Sequence, residues 1–282
     1  MPARKLAGTV CLEENMSKKH KPRILRTVLT FLFAMIFLLS GGMLIRDLVR
    51  SNREQAANEA LIQRIEPVGT SERATDSAAD TQQSTRNYQP LLAENNHLAA
   101  WLTIPDTDID YPVLFTPDNP EYYLRRAFDG SSALSGSLFI GADCVPDGSN
   151  IIIYGHNMKD GSMFGGLEQY ADAAYAKEHG QIIYDLIEPD GSYERLTFEV
   201  IAAFYSEVYQ IDATGVFRYY YATDLSDPEA FQNYITQVMA ASSYDLGITA
   251  DYGDRLLTLS TCSYHTEDGR FVVVAKQSNT SS

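Results

Sequence analysis

RLLTLSTCSYHTEDGRFVVVAK, residues 255–276, contains two β-type runs on either side of a polar turn. Short runs of aliphatic and β-branched residues that are separated by Gly and Asp predict an antiparallel hairpin. Further runs of this kind occur upstream, each bounded by Gly, Pro, Asp or Asn, at residues 111–115, 137–140, 150–154, 181–187 and 195–205. About seven or eight strands at this spacing predict a mainly β domain that closes into a barrel.

Helical patterns interrupt the strands at residues 119–126, 163–175 and 226–242. In the last of these, Ser226 can cap the helix and Pro228 suits its first turn. Phe231, Ile235 and Met239 recur every four residues, which places them on one face. We expect this helix to pack on the barrel and the shorter helices to lie at its periphery.

An uncharged run at residues 27–45, TVLTFLFAMIFLLSGGMLI, predicts a membrane-spanning helix. About 19 helical residues span about 28 Å, which matches a bilayer core. Basic residues precede the run, so the positive-inside rule places residues 1–26 in the cytoplasm and the rest outside. We predict a single-pass protein of the cell membrane, with Met1 and Met16 as candidate starts. A cleaved signal peptide is the alternative, which the long run and the lack of a clear A-x-A pattern disfavour.

The segment that follows, residues 46–87, combines a predicted short helix with a predicted tether. Ala57, Leu61 and Ile65 lie four apart within the helix-forming stretch 51–66. Residues 67–87 are polar and almost free of large apolar groups, which predicts a flexible tether. A chain of ~20 such residues has an r.m.s. span of ~25 Å. Residues 88–282 hold enough aromatic and aliphatic residues for one folded domain.

The charge distribution excludes a class of partner. The net charge is -15, but residues 1–50 carry nine Lys/Arg against three Asp/Glu, which leaves 13 against 34 in the remainder. So acidic a surface repels phosphate backbones, and we predict no nucleic-acid partner.

Three cysteines fit neither a disulfide framework nor a short metal-binding spacing. Cys11 precedes the predicted membrane-spanning segment. Cys144 is predicted to be a partly buried small residue in a loop. Cys262 ends a strand, where it is either a buried structural thiol or a nucleophile. A thiol becomes a good nucleophile where a cation or an imidazole favours the thiolate.

Two residues could supply that environment. His156 is the better candidate of two histidines, because it follows an apolar strand and Gly155; the alternative is that it is an ordinary loop histidine. The other, His265, lies only three residues after Cys262 in the hairpin loop. The second residue, Arg270, begins the strand that should pair with the Cys262 strand. The alternative is that it is a surface arginine of an edge strand.

Three elements of the sequence resemble the signatures of sortases: TLSTC at 258–262, Gly269-Arg270 followed by FVVVAK, and YGHNM at 154–158. The resemblance extends over roughly residues 88–277, and residues 95–115 are similar to the opening of class B catalytic domains. The helix at 226–242 is similar to one that class B members insert, and no pilin-type class C lid motif precedes the domain. Ser263 departs from some class B relatives, which carry an acidic residue there.

The resemblance implies an eight-stranded sortase-type β-barrel in which Cys262, His156 and Arg270 converge as catalytic residues. Cys262 would attack a threonine carbonyl in the C-terminal sorting signal, NPQTN-like or related, of a secreted protein. His156 would give and take the proton, and Arg270 would stabilise the oxyanion. The residues expected to hold the signal are Tyr154, Ser260 and Thr261. We see no carboxylate cluster matching the class A calcium site, and predict no metal and no cofactor.

The implied second substrate is an amine of peptidoglycan or of its lipid-linked precursor in a Gram-positive cell wall. Three alternatives stay open at this point. A thiol hydrolase would use the same Cys/His pair with water, a pilin-polymerising sortase would use a lysine of a partner protein, and a surface binding module would perform no turnover.

Overall fold

The computed structural model describes residues 21–65 and 86–278, and the chain divides into two compact units, residues 1–50 and 51–282. Residues 1–20 of the predicted cytoplasmic segment, residue 66 at the end of the predicted short helix and residues 67–85 of the predicted tether lie outside the described residues.

The first helix, α1, is continuous over Lys21–Ile65. Within the described part of the chain it is the one helix whose length and composition could cross a membrane, and none of its apolar window is buried. The helix predicted for residues 51–66 is therefore the continuation of α1. Its apolar part is a candidate membrane anchor.

Eight strands form the predicted closed barrel in the order β1-β2-β3-β4-β7-β8-β6-β5. They are β1 Leu98–Thr103, β2 Asp110–Leu114, β3 Leu138–Ile140, β4 Asn150–Tyr154, β5 Gln181–Ile187, β6 Tyr193–Glu207, β7 Leu256–Cys262 and β8 Gly269–Gln277. The β2/β3 and β4/β7 pairs are parallel and the other pairs are antiparallel. Only β1 was absent from the predicted runs, because LAAWLT has a single β-branched residue.

The peripheral helices are short except for α4, Pro228–Ala241. The others are α2 Gln89–Glu94, α3 Ala173–Glu178, and 3₁₀ turns at Tyr122–Arg125, Leu167–Ala171 and Tyr219–Tyr221. The predicted cap of α4 was wrong: the Asp227 side chain, not that of Ser226, accepts from the Ala230 amide at 2.8 Å. Pro228 does begin the helix, as predicted.

Three apolar clusters make up the core. One fills the barrel interior, and a second joins α4, through Phe231, Ile235 and Val238, to the outer faces of β6, β7 and β8. A third lies outside β1 and contains Trp101 together with Leu61 from the end of α1. In the described part of the chain, the barrel therefore carries α4 on one side and the end of α1 together with α2 on another.

The end of α1 is part of the second unit. Ile65 is fully buried, and Arg64 forms an ion pair with Glu94 at 2.8 Å. The Asn87 amide donates to the Ile65 carbonyl at 2.8 Å. The described residues on either side of 66–85 are thus in contact, and the ~25 Å span expected of a free linker of ~20 residues does not separate Ile65 from Asn87.

Candidate active site

Two parallel strands bring the predicted histidine and cysteine to the same edge of the barrel. Tyr154 at the end of β4 pairs with Ser260 in β7. Because parallel strands end in the same direction, His156 leaves β4 beside the position where Cys262 ends β7.

The predicted arginine lies across the next pair of strands. β7 and β8 are antiparallel, and Cys262 is directly opposite Arg270 in their register. This is the pairing expected from the hairpin pattern in the sequence.

A groove of ≈ 440 Å³ runs along this edge. All six predicted site residues line it: Tyr154, His156, Ser260, Thr261, Cys262 and Arg270. The lining also contains Leu124 from the first 3₁₀ turn and the run Tyr219–Tyr221 between β6 and α4. The arrangement combines a thiol, an imidazole and a guanidinium in one largely apolar groove.

Of the two cysteines in the described residues, only Cys262 is partly exposed. Cys144 is buried as predicted, and burial raises the pKa of its thiol. A buried thiol with a raised pKa is a poor nucleophile. Cys262 is therefore the thiol that a ligand in the groove can reach.

The His156 ring is held by a backbone carbonyl. Its Nε2 lies 2.7 Å from the Leu124 oxygen, and its own carbonyl accepts from the Phe164 amide. A carbonyl can only accept, so Nε2 carries the proton of this bond. In the neutral ring, Nδ1 is then the nitrogen that can take up a further proton.

Arg270 points one terminal nitrogen at its own hairpin, where it donates to the carbonyls of Gly269 at 2.9 Å and Asp268 at 3.2 Å. Among the described residues, no carboxylate forms an ion pair with it. A guanidinium has five N–H donors in a planar fork, so most remain for a ligand. Within residues 21–65 and 86–278, no acidic side chain neutralises its positive charge.

The hydroxyls of Ser260 and Thr261 are already used within the protein. Ser260 is fully buried and its Oγ lies 2.7 Å from the Tyr219 hydroxyl. Thr261 is 2% exposed and donates to the Gly155 carbonyl at 2.8 Å. These two side chains form the floor beneath the groove, so they shape it more than they offer hydrogen bonds to a ligand.

Tyr154 forms part of the groove wall. Its ring stacks on Phe139 with centroids 5.7 Å apart, and burial raises the pKa of its phenol. The neighbouring Gly155 has no room for a side chain, because a Cβ would lie 2.5 Å from Leu138 and 2.6 Å from Phe164. The chain can therefore turn from β4 towards His156 only with glycine here.

The sequence prediction missed three contributors to the site. Asn157 donates from Nδ2 to the Cys262 carbonyl at 2.9 Å, and it was quoted within YGHNM without a role. The Leu124 carbonyl has no signal in sequence, because any residue has one. The run Tyr219–Tyr221 carries three aromatic rings, but three adjacent tyrosines follow neither strand nor helix periodicity.

Comparison with known proteins finds consistent likenesses. The Sortase domain family model matches residues 102–278. A Sortase B of Listeria monocytogenes is 32% identical over 255 residues, which cover 88% of this chain and 94% of that protein. The structure of sortase B from B. anthracis in complex with AAEK1 is 28% identical with a TM-score of 0.63, covering 82% of this chain and 98% of that one. A sortase B complexed with triglycine is 25% identical with a TM-score of 0.65, covering 82% and 100%.

Proposed function

The chain belongs to the sortase family, and within it to the class B type, and from this premise we propose that it is a membrane-anchored cysteine transpeptidase of a Gram-positive cell surface. The observation that supports this most directly is the groove in which Cys262 lies opposite Arg270 and beside His156. Its substrate would be a secreted protein with a C-terminal sorting signal, NPQTN-like or related.

In the first step, the Cys262 thiol gives its proton to His156, and its sulfur attacks the carbonyl carbon of the signal's threonine. A C–S bond forms, the carbonyl oxygen becomes an oxyanion, and the C–N bond to the next residue then breaks. The leaving amine takes a proton from the His156 imidazolium. A thioester remains on Cys262 and the downstream peptide departs.

Arg270 would stabilise the oxyanion. The other donor to consider is the amide that follows the cysteine, but the Ser263 N–H is bonded to the Gly269 carbonyl at 2.9 Å. The guanidinium, with unused N–H donors and no carboxylate partner in the described part of the chain, belongs to a residue that lines the same groove as Cys262 and pairs with it in the β7–β8 register. A fixed positive donor at a developing negative charge lowers the barrier.

In the second step, an acceptor amine attacks the thioester. His156 takes the amine's proton, a new amide bond forms and the C–S bond breaks. We propose a peptidoglycan amine, or that of its lipid-linked precursor, as the acceptor. The structure of a sortase B complexed with triglycine supports a short peptide with a free amino group as the acceptor. The acidic surface of the domain would attract an ammonium-bearing acceptor.

Tyr154, Ser260 and Thr261 would line the part of the groove that binds the sorting signal. Tyr154 offers a ring face and a protonated phenol, while the two smaller residues set the depth of the groove. The α1 helix would anchor the protein, with the N-terminus in the cytoplasm and the barrel outside.

The test is mass spectrometry of the detergent-solubilised full chain with sorting-signal peptides, with and without triglycine. Wild type should form an acyl adduct on Cys262 and an amine-linked product, and Cys262→Ala should form neither. Hydrolysis alone would instead establish a thiol hydrolase. Transfer only to a lysine on a partner protein would establish a pilin-type enzyme. Specific peptide binding without any adduct would establish a binding module.

A further inference from the structure

The turn that carries His156 is joined to the end of β7 on both sides of the histidine. Before it, the Gly155 amide donates to the Ser260 carbonyl at 3.2 Å, and the Thr261 hydroxyl donates to the Gly155 carbonyl at 2.8 Å. After it, Asn157 Nδ2 donates to the Cys262 carbonyl at 2.9 Å. Only the last of these bonds reaches the proposed nucleophile itself.

The peptide unit between Cys262 and Ser263 is held at both ends. Its carbonyl accepts from Asn157, and its N–H donates to the Gly269 carbonyl at 2.9 Å. A peptide unit is planar, so two bonds on opposite sides fix its rotation and with it the ψ angle of Cys262. That angle sets the direction in which the Cys262 side chain leaves the backbone.

We propose that Asn157 is a positioning residue for the reaction, which locks the backbone of Cys262 and so fixes its sulfur relative to the imidazole of the adjacent His156. This inference rests on the proposed transpeptidase function. Asn157 does not touch the reacting atoms; it acts through the carbonyl that it holds.

The position requires a donor of this length. Asparagine supplies an N–H, whereas an ionised Asp would only accept and would repel the carbonyl. Loss of the side chain should leave the turn folded, because other bonds hold it. Asn157 forms a β-bridge with Met163, and the Phe164 amide donates to the His156 carbonyl at 3.0 Å.

The expected effect is on the rate of chemistry. A misplacement of about 1 Å between reacting groups costs about 10²-fold. Asn157→Ala and Asn157→Asp should therefore lower kcat about 10- to 100-fold for transfer of a sorting-signal peptide to triglycine. KM should change little, because the residues that line the groove do not include Asn157.

A pH profile separates positioning from folding. The carboxyl that Asn157→Asp introduces can, when protonated, donate to the Cys262 carbonyl as the amide does. The kcat of this variant relative to wild type should therefore rise as the pH falls from about 8 to about 5. Asn157→Ala has no such group, and its ratio to wild type should stay flat. Asn233→Asp, on the exposed face of α4, is the matched control and should match wild type throughout.

Each result has one meaning. The kcat losses with the pH-dependent recovery support the proposal, provided that the thermal midpoint of the full chain stays near that of wild type. An Asn157→Ala kcat within about twofold of wild type would overturn it, as would a loss confined to KM or a flat Asn157→Asp ratio. A large drop in thermal midpoint would assign Asn157 a structural role instead. If wild type transfers no peptide, the proposed function itself is wrong.

Discussion

Cys262 and Arg270 face each other as a register pair in the β7–β8 ladder, eight residues apart in the chain. The pairing depends only on backbone hydrogen bonds, which makes it independent of either side chain. It keeps Arg270, which is permanently charged, at the strand position opposite Cys262, while the hairpin carbonyls hold one end of the guanidinium. Substitutions of Arg270 should therefore affect chemistry with little effect on the fold.

We expect Arg270→Lys to lower kcat/KM about 10²- to 10³-fold, as the loss of one oxyanion donor does elsewhere. Lysine keeps the charge but loses the planar fork that can bind the hairpin and an oxyanion together. The measurement is steady-state transfer of a fluorogenic sorting-signal peptide. Arg255→Lys, at the residue just before β7 and so at the end away from Cys262, is the control and should be near wild type. An Arg270→Lys enzyme with full activity would show that charge alone suffices.

The bond from His156 to Leu124 predicts a tautomer. Neutral His156 should carry its proton on Nε2 and leave Nδ1 free, since Nε2 faces a carbonyl at 2.7 Å. Nitrogen NMR of ¹⁵N-histidine-labelled full chain, with His156→Gln to assign the signals, would measure this directly. A protonated Nδ1 in the neutral ring would contradict the geometry.

The same bond predicts how His156→Gln behaves. Its amide N–H can donate to the Leu124 carbonyl but cannot act as an acid or base, so the fold should remain while kcat falls about 10²- to 10⁴-fold. Thermal unfolding and transfer kinetics check the two halves separately. A variant that loses stability as well would show that the imidazole also supports the turn.

The buried bond between Tyr219 and Ser260 predicts a stability effect. Burial raises the pKa of Tyr219, so the phenol stays protonated and the bond persists through the neutral range. Tyr219→Phe leaves the Ser260 hydroxyl buried and unpaired, which should cost about 1–3 kcal/mol in denaturant unfolding.

The matching double variant tests that cause. Removing both partners with Tyr219→Phe and Ser260→Ala should recover part of the loss, because no buried group is then unpaired. Tyr221→Phe, at a side chain that is 69% exposed, should unfold like wild type. Equal losses for the single and double variants would mean that the hydroxyl bond does not carry the effect.

The barrel could be predicted because its strands are marked locally, by β-branched runs and turn residues. The strand β1 was missed for the same reason, since LAAWLT carries little of that signal and becomes a strand through pairing with β2 and β5. The N-cap of α4 is Asp227, one residue after the predicted Ser226, and the sequence could not decide between them because both residue types are good N-caps. Such shifts depend on the final turn geometry, which sequence pattern does not fix.

The candidate site was predictable only in part. The pairing of Cys262 with Arg270 follows from a hairpin and needs no other information. The burial of Ser260 depends on Tyr219, which comes from a separate segment 41 residues away. The bond to His156 comes from a backbone carbonyl 32 residues upstream. Contacts of this kind are set by tertiary packing and leave no periodic signal in the chain.

The contact between Ile65 and Asn87 leads to a prediction about the segment between α1 and α2. Since one hydrogen bond of 2.8 Å joins its flanks, we expect residues 66–85 to be replaceable by about four Gly/Ser residues without loss of transfer activity. Loop-closure entropy falls by ~0.6 kcal/mol for each halving of loop length, so a fivefold shorter loop should stabilise the chain by ~1.4 kcal/mol. Thermal unfolding and transfer kinetics of the full chain measure both effects.

The control for the shortened loop is the docking of α1 itself. Ile65 is fully buried against the barrel, so Ile65→Ala should cost about 2–5 kcal/mol whichever loop is present. If the short loop lowers both stability and activity, residues 66–85 contribute contacts of their own. If it leaves both intact while Ile65→Ala destabilises, the barrel is held to α1 by packing, and the segment between them serves only as a connection.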